Sequence, residues 1–130
     1  MTHVLANGTF DFLHPGHIHY LQESADRGDR LTVVIACDSR ASEKKDLRLD
    51  EGARRTVVGA LQMVDEAVVG SERNILDTVD EVEPDIITLG HDQSFDEDEL
   101  EDQLAAAGHP DIRVVRISRE GTFSSSDLKQ

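Results

Sequence analysis

Apolar positions along the chain follow two alternating rhythms. Five short runs are rich in β-branched residues and bounded by polar or glycine positions. They are HVLAN (His3 to Asn7), LTVVIAC (Leu31 to Cys37), EAVVG (Glu66 to Gly70), DIITLG (Asp85 to Gly90) and IRVVRI (Ile112 to Ile117). Runs of this length and composition read as strands, and the unbroken apolar ones read as strands covered on both faces. Between them the apolar spacing turns helical. Pro15 to Ala25 sets Ile18, Leu21 and Ala25 on one face, and Glu51 to Met63 carries Val57, Val58 and Leu61 behind an N-cap at Asp50. Asn74 to Val82 forms a third helical pattern. Asp96 to Ala107 forms a fourth, in which Asp96 caps the helix and acids fill its first turn, where they complement the helix dipole.

Strands that alternate with helices build βαβ units and a parallel sheet. The expectation is an α/β fold: a single small Rossmann-like, doubly wound domain over residues 1–130, with a five-stranded parallel sheet flanked by helices. In such sheets a ligand sits beyond the carboxyl ends of the strands, where the strand order reverses. No repeat, linker or low-complexity tract interrupts the pattern, and the tail EGTFSSSDLKQ reads as a loop followed by one short helical turn.

Charge narrows the function. The 27 acidic and 13 basic side chains leave a formal net charge of −14. That surface repels nucleic-acid backbones and anionic membranes, so neither is expected as a partner. It serves as a solubilising surface or, more sharply, suits a chain working in a very salty cytoplasm, where self-repulsion is screened. The lone cysteine, Cys37, excludes an intrachain disulfide and ends an apolar strand, which predicts a buried, inert thiol. With no signal peptide and no apolar run of membrane-spanning length, the reading is a protein of the reducing cytoplasm.

The candidate chemistry is concentrated in NGTFDFLHPGHIHYLQES, Asn7 to Ser24. Gly8 ends the first strand, where the chain must turn. Pro15 suits the first helical position, because its missing N–H would lack a partner there in any case. His14 is then the N-cap and His17 the third helical residue, so both imidazoles flank one helix N-terminus, while Gly16 leaves the approach open. Backbone N–H groups and the helix dipole favour an anion at this point. Two imidazoles can add hydrogen bonds to a phosphate whose charge grows during reaction. A zinc site would ordinarily space two histidines four apart and add further ligands, and a structural turn would not need both histidines around Pro-Gly. His19 falls on another helix face and reads as a surface or supporting residue.

GTFDFLHPGH resembles the HxGH signature of the cytidylyltransferase-like nucleotidyltransferases, and the similarity extends along nearly the whole chain. CDSR resembles the family's substrate-side segment, KK with LDEGARR its basic loop and helix-borne arginine, PDIITLGHDQSFDEDEL its fourth strand and GxD loop, and SREGTFSSSDL its closing phosphate motif. The resemblance implies transfer of a nucleotidyl group from a nucleoside triphosphate to a phosphate acceptor, with in-line attack at the α-phosphorus and release of pyrophosphate. It implies His14, His17, Lys45 and Arg119 as catalytic residues. The nucleotide site would comprise Gly8, Thr9, Phe10, His14, His17, Gly90, Asp92, Gln93, Arg119, Ser124 and Ser125. Asp11, Asp38, Lys44 and Arg54 would face the acceptor, with Lys45 and Arg55 as alternatives for the lysine and arginine that meet phosphate.

Mg²⁺ or another divalent cation would accompany the triphosphate, held mostly by substrate and water, with no metal ligand assigned to the chain. A homodimer is implied as well. Gln93 stands where glycerol-phosphate cytidylyltransferases carry tryptophan, and the chain has no tryptophan. LGHDQSFDEDEL is more similar to the archaeal-type FAD synthases, whose substrates are ATP and FMN. The alternatives are a cytidylyltransferase using CTP and glycerol 3-phosphate or a related phosphorylated alcohol, phosphopantetheine adenylyl transfer and, more remotely, a nucleotide-binding regulator without turnover.

Overall fold

The computed structural model describes residues 1–10, 13, 15–37, 50–70, 75–90 and 96–117. Its strands are β1 (His3–Gly8), β2 (Arg30–Ile35), β3 (Glu66–Val69), β4 (Ile86–Leu89) and β5 (Arg113–Arg116). Its helices are α1 (Pro15–Ala25), α2 (Glu51–Gly59), α3 (Ile75–Val82) and α4 (Glu97–Ala106). The sheet order is β3-β2-β1-β4-β5, and every neighbouring pair runs parallel. The chain steps from β1 outward to β3, then returns past β1 to lay down β4 and β5. The order therefore reverses between β1 and β4, as the doubly wound expectation requires.

Strand alternation builds two cores. Val4 and Ala6 of β1 join Leu31, Val33 and Ile35 of β2 beneath Leu21 of α1 and Val58 of α2. Leu5 and Val34 face the other way and meet Val79 of α3 and Leu100 and Leu104 of α4. Each large apolar side chain buried this way contributes about 1.5–3 kcal/mol. Among the described residues, no helix is long and apolar enough to cross a membrane.

Two details depart from the sequence reading. The helix expected to run to Met63 ends at Gly59. The N–H groups of Ala60 and Leu61 bond Val57 O and Val58 O, tightening the last turn to i→i−3 spacing and dropping Val64 into the core. On α1 the fully packed residues are Tyr20, Leu21 and Ser24 rather than Ile18, Leu21 and Ala25. Two polar groups hold that face because β4 supplies them with partners, as described below. Asp50 and Asp96 cap α2 and α4 as expected, accepting from Ala53 N at 2.7 Å and Glu99 N at 3.0 Å. Cys37 is buried.

At the amino end of the sheet, strand-start N–H groups are taken by carboxylates from neighbouring loops and helices. Thr2 N donates to Asp29 at 2.7 Å, His3 N to Asp85 at 2.8 Å, Leu31 N to Asp65 at 2.7 Å, and Val114 N to Glu101 at 2.8 Å. Some of the chain's acidity thus satisfies backbone donors that lack a ladder partner.

Candidate active site

The sequence places its phosphate turn directly after β1, and the sheet puts β1 at its centre. The carboxyl end of this strand therefore borders the crevice with β4. The β1–β4 register pairs Ala6 with Thr88, so two residues further on Gly8 stands level with Gly90. Thr9 follows, and then Phe10, whose φ of 53° lies in the left-handed region. A bulky side chain rarely adopts that conformation without a compensating constraint, and such strain gathers at functional sites.

The constraint on Phe10 is packing. Its ring is buried beneath the turn. A Cβ added at Gly8 would stand 2.8 Å from its Cε2 and Cζ, so the ring lies against a face that only glycine leaves open. The ring also meets His17 edge-to-face, with centroids 5.3 Å apart and planes at 74°. Gly8, Phe10 and His17 thus form a stack in which the strand end positions the ring and the ring positions the imidazole. His17 is the third residue of α1, within the first turn, where N–H groups project forward and favour anions. His19 is half-buried.

The structure thus brings Gly8, Thr9, Phe10, His17 and Gly90 to one end of the crevice. Arg54, expected to face the acceptor, stands at the carboxyl ends of β1 and β2. It is fully buried, with its Nη1 donating to Thr9 O at 2.8 Å and to Ala36 O at 2.7 Å. This part of α2 faces the strand ends, where carbonyls leave the ladder and need donors. Arg55 is exposed. His14, Asp11, Asp38, Lys44, Lys45, Asp92, Gln93, Arg119, Ser124 and Ser125 lie outside the described residues, as does the closing tail.

Sequence reasoning missed a buried polar junction under the crevice. The Tyr20 hydroxyl donates to Thr88 O at 2.6 Å and accepts from Asn7 N at 3.1 Å, so it stands between β1 and β4 where their ladder opens. Ser24 Oγ donates to Tyr20 O at 2.7 Å and lies 2.7 Å from Thr88 Oγ1. Each hydroxyl has one proton, so Thr88 supplies the proton of the second contact. Burial pushes the Tyr20 phenol up to about 12, and it stays neutral. Arg116 was also missed. At the end of β5 it donates to Gly90 O at 2.8 Å and, at 2.9 and 2.7 Å, to Glu97 Oε1 in the first turn of α4. That guanidinium holds the Glu97 carboxyl below its usual range. The only signal for these groups was polarity at positions the helix and strand periods turn inward.

Among the described residues, no trio of His, Cys, Asp or Glu side chains is close enough to hold a metal ion. The described part of the site gathers backbone, an imidazole and a helix N-terminus, groups that favour an anion.

Comparison with known proteins agrees with this geometry. Residues 5–130 match the cytidylyltransferase-like family model. A protein of Picrophilus torridus described as FAD synthase is 52% identical, over 98% of this chain and 93% of its own length. FAD synthases of Thermoplasma volcanium and Natrialba magadii are 47% and 49% identical, over 97% and 92% of this chain and 89% and 80% of theirs. A Thermoplasma volcanium crystal structure, described as a lipopolysaccharide core biosynthesis protein, superposes with a TM-score of 0.89 at 47% identity, covering 93% of this chain and 99% of that one. An Archaeoglobus fulgidus protein of unknown function shares the fold, with a TM-score of 0.78 at 20% identity over 95% of this chain and 93% of its own. The matched length, the identity and the doubly wound sheet together establish that the chain belongs to the cytidylyltransferase-like family.

Proposed function

We infer that the protein is an FAD synthase. It transfers AMP from ATP to the phosphate of FMN and releases pyrophosphate. The observation that carries this reading is the near full-length identity, 52% over 98% of the chain, with a relative described as an FAD synthase. The stack of Gly8, Phe10 and His17 at the carboxyl end of the central strand supports it, because this chemistry needs positioned donors rather than a covalent nucleophile.

In the reaction an FMN phosphate oxygen attacks the α-phosphorus in line, and the bond to the bridging oxygen of pyrophosphate breaks. FMN is already ionised, so no general base is required. His17, with His14, donates to the triphosphate as its charge redistributes. Gly8, Thr9 and Phe10 line the triphosphate, and Gly90, Asp92 and Gln93 border the nucleotide. Lys44, Lys45, Arg119, Ser124 and Ser125 take the remaining phosphate oxygens, and Asp11 and Asp38 lie on the acceptor side. The divalent cation, Mg²⁺ or a related ion, enters with ATP as part of the substrate. The same reading takes the protein as a homodimer of a reducing, salt-rich archaeal cytoplasm.

The related crystal structure bears another name, so the acceptor and nucleotide are what the assay must decide. FMN or glycerol 3-phosphate is supplied with ATP or CTP in high salt, and pyrophosphate and FAD are measured. FMN with ATP is the expected productive pair, and exclusive use of CTP with glycerol 3-phosphate ends the proposal. His17→Ala is expected to lower turnover by about 10²–10³-fold with the fold intact. An unchanged rate removes His17 from the mechanism.

A further inference from the structure

Arg54 is buried in the core-facing side of α2, yet its contacts are made at the mouth of the site. The two protons of Nη1 go to two carbonyls, Thr9 O at 2.8 Å and Ala36 O at 2.7 Å. These carbonyls belong to the first peptides after β1 and β2, so one nitrogen ties together the exits of two strands. The first of these peptides leads into Phe10.

The described chain has no cis peptide bond. In a trans peptide the C=O and the following N–H point to opposite sides. A guanidinium that holds Thr9 O toward α2 therefore turns the Phe10 N–H away from α2. Phe10 follows the carboxyl end of β1, the central strand that borders the crevice, and its ring packs on His17. The same grip adds to the packing that holds Phe10 at its left-handed φ, because turning the peptide before it would break a charge-assisted bond.

We propose that Arg54 is a positioning residue for phosphate: by holding the Thr9 carbonyl it aims the Phe10 N–H at the transferring phosphoryl group. It touches no substrate itself. The inference rests on reading the site as a nucleotidyl-transfer centre, and it gives the buried arginine a role distinct from acceptor binding. A lysine at this position keeps the charge but cannot span two carbonyls from one planar nitrogen. A methionine fills similar volume and holds neither.

The test compares Arg54→Met and Arg54→Lys with the unaltered enzyme, using FMN and Mg²⁺-ATP. Arg54→Met is expected to lower kcat about 10²-fold, the scale for loss of one oriented transition-state donor, while KM for FMN moves less than about threefold. Arg54→Lys is expected to recover part of the loss. If Arg54→Met folds, as judged by circular dichroism, and keeps kcat within about threefold, the proposal is overturned. If it does not fold, a folded Arg54→Lys with unaltered kcat overturns it equally.

A second measurement needs neither variant nor turnover. In ¹⁵N-labelled unaltered protein, inorganic tripolyphosphate should shift the Phe10 amide resonance, and an unmoved Phe10 amide refutes the proposal. This arm also separates two failures. If no FAD forms but the Phe10 amide responds, the assignment of substrates is wrong and the aim of the Phe10 N–H at phosphate stands.

Discussion

Tyr20→Phe removes one oxygen from the junction of α1, β1 and β4 and leaves the ring volume in place. The lost hydroxyl is the donor to Thr88 O at 2.6 Å and the acceptor for Asn7 N at 3.1 Å. No cavity opens, so the cost is the desolvation of two backbone groups left without that partner. At about 1–2 kcal/mol for each, the variant should lose roughly 2–4 kcal/mol. For a domain of this size that corresponds to a fall in Tm of about 6–16 °C. Urea unfolding followed by circular dichroism measures it, and an unchanged m-value shows that the same surface is exposed.

The chain contains one tyrosine and no tryptophan, so tyrosinate absorbance reports Tyr20 alone. In the folded protein ionisation should occur near pH 12. Because the folded value lies above the unfolded value of about 10, the burial of neutral Tyr20 contributes fully below pH 10 and is lost as pH rises toward 12. Tyr20→Phe should lack this alkaline component. A stability change under about 0.5 kcal/mol, or ionisation at the ordinary value in folded protein, would refute the bridging role of the hydroxyl.

Gly8→Ala should lower stability by about 1–3 kcal/mol, because the new Cβ meets Phe10 Cε2 and Cζ at 2.8 Å and the ring must move. Turnover should fall further than stability implies, since that ring packs on His17; a variant with full activity in a steady-state assay argues against the stack. The Glu97 carboxyl is held below its usual range, chiefly by its hydrogen bonds to Arg116. A depressed folded value means that the contact stabilises above the ordinary carboxylate range and is lost as pH falls through the folded value. The difference in urea midpoint between the unaltered protein and Glu97→Gln should therefore be largest near neutrality and shrink on acidification; a constant difference contradicts this.

The sheet was legible because its strands are apolar on both faces. Leu31 to Ile35 could not be mistaken for a half-exposed strand, and a sheet covered on both sides needs the alternating helices the sequence offers. Helix starts were legible at Asp50 and Asp96, where a local side chain satisfies a local N–H. The end of α2 was not, because the apolar spacing runs on through Leu61 and Met63 after the backbone has tightened into a turn. The stack at Phe10 and His17 was readable as a motif, but the left-handed φ that it requires was not. Tyr20, Ser24 and Thr88 went unread because their partners are 64 and 68 residues apart in sequence. Arg54 was noticed for its charge, whereas its contacts are set by where α2 lands on the sheet.

The carboxylates at the amino end of the sheet bear on how the charge of this protein could be lowered. A net charge of −14 invites replacement of acids by neutral or basic residues. The 27 candidates are not equivalent. Asp29, Asp65, Asp85 and Glu101 each occupy a strand-start N–H, so removing them loosens the sheet whatever happens to the charge. Glu81, Asp98 and Asp102 stand exposed on α3 and α4 and can carry the change instead. Charge-lowering variants should therefore be drawn from the outer faces of the helices, with the strand starts left acidic.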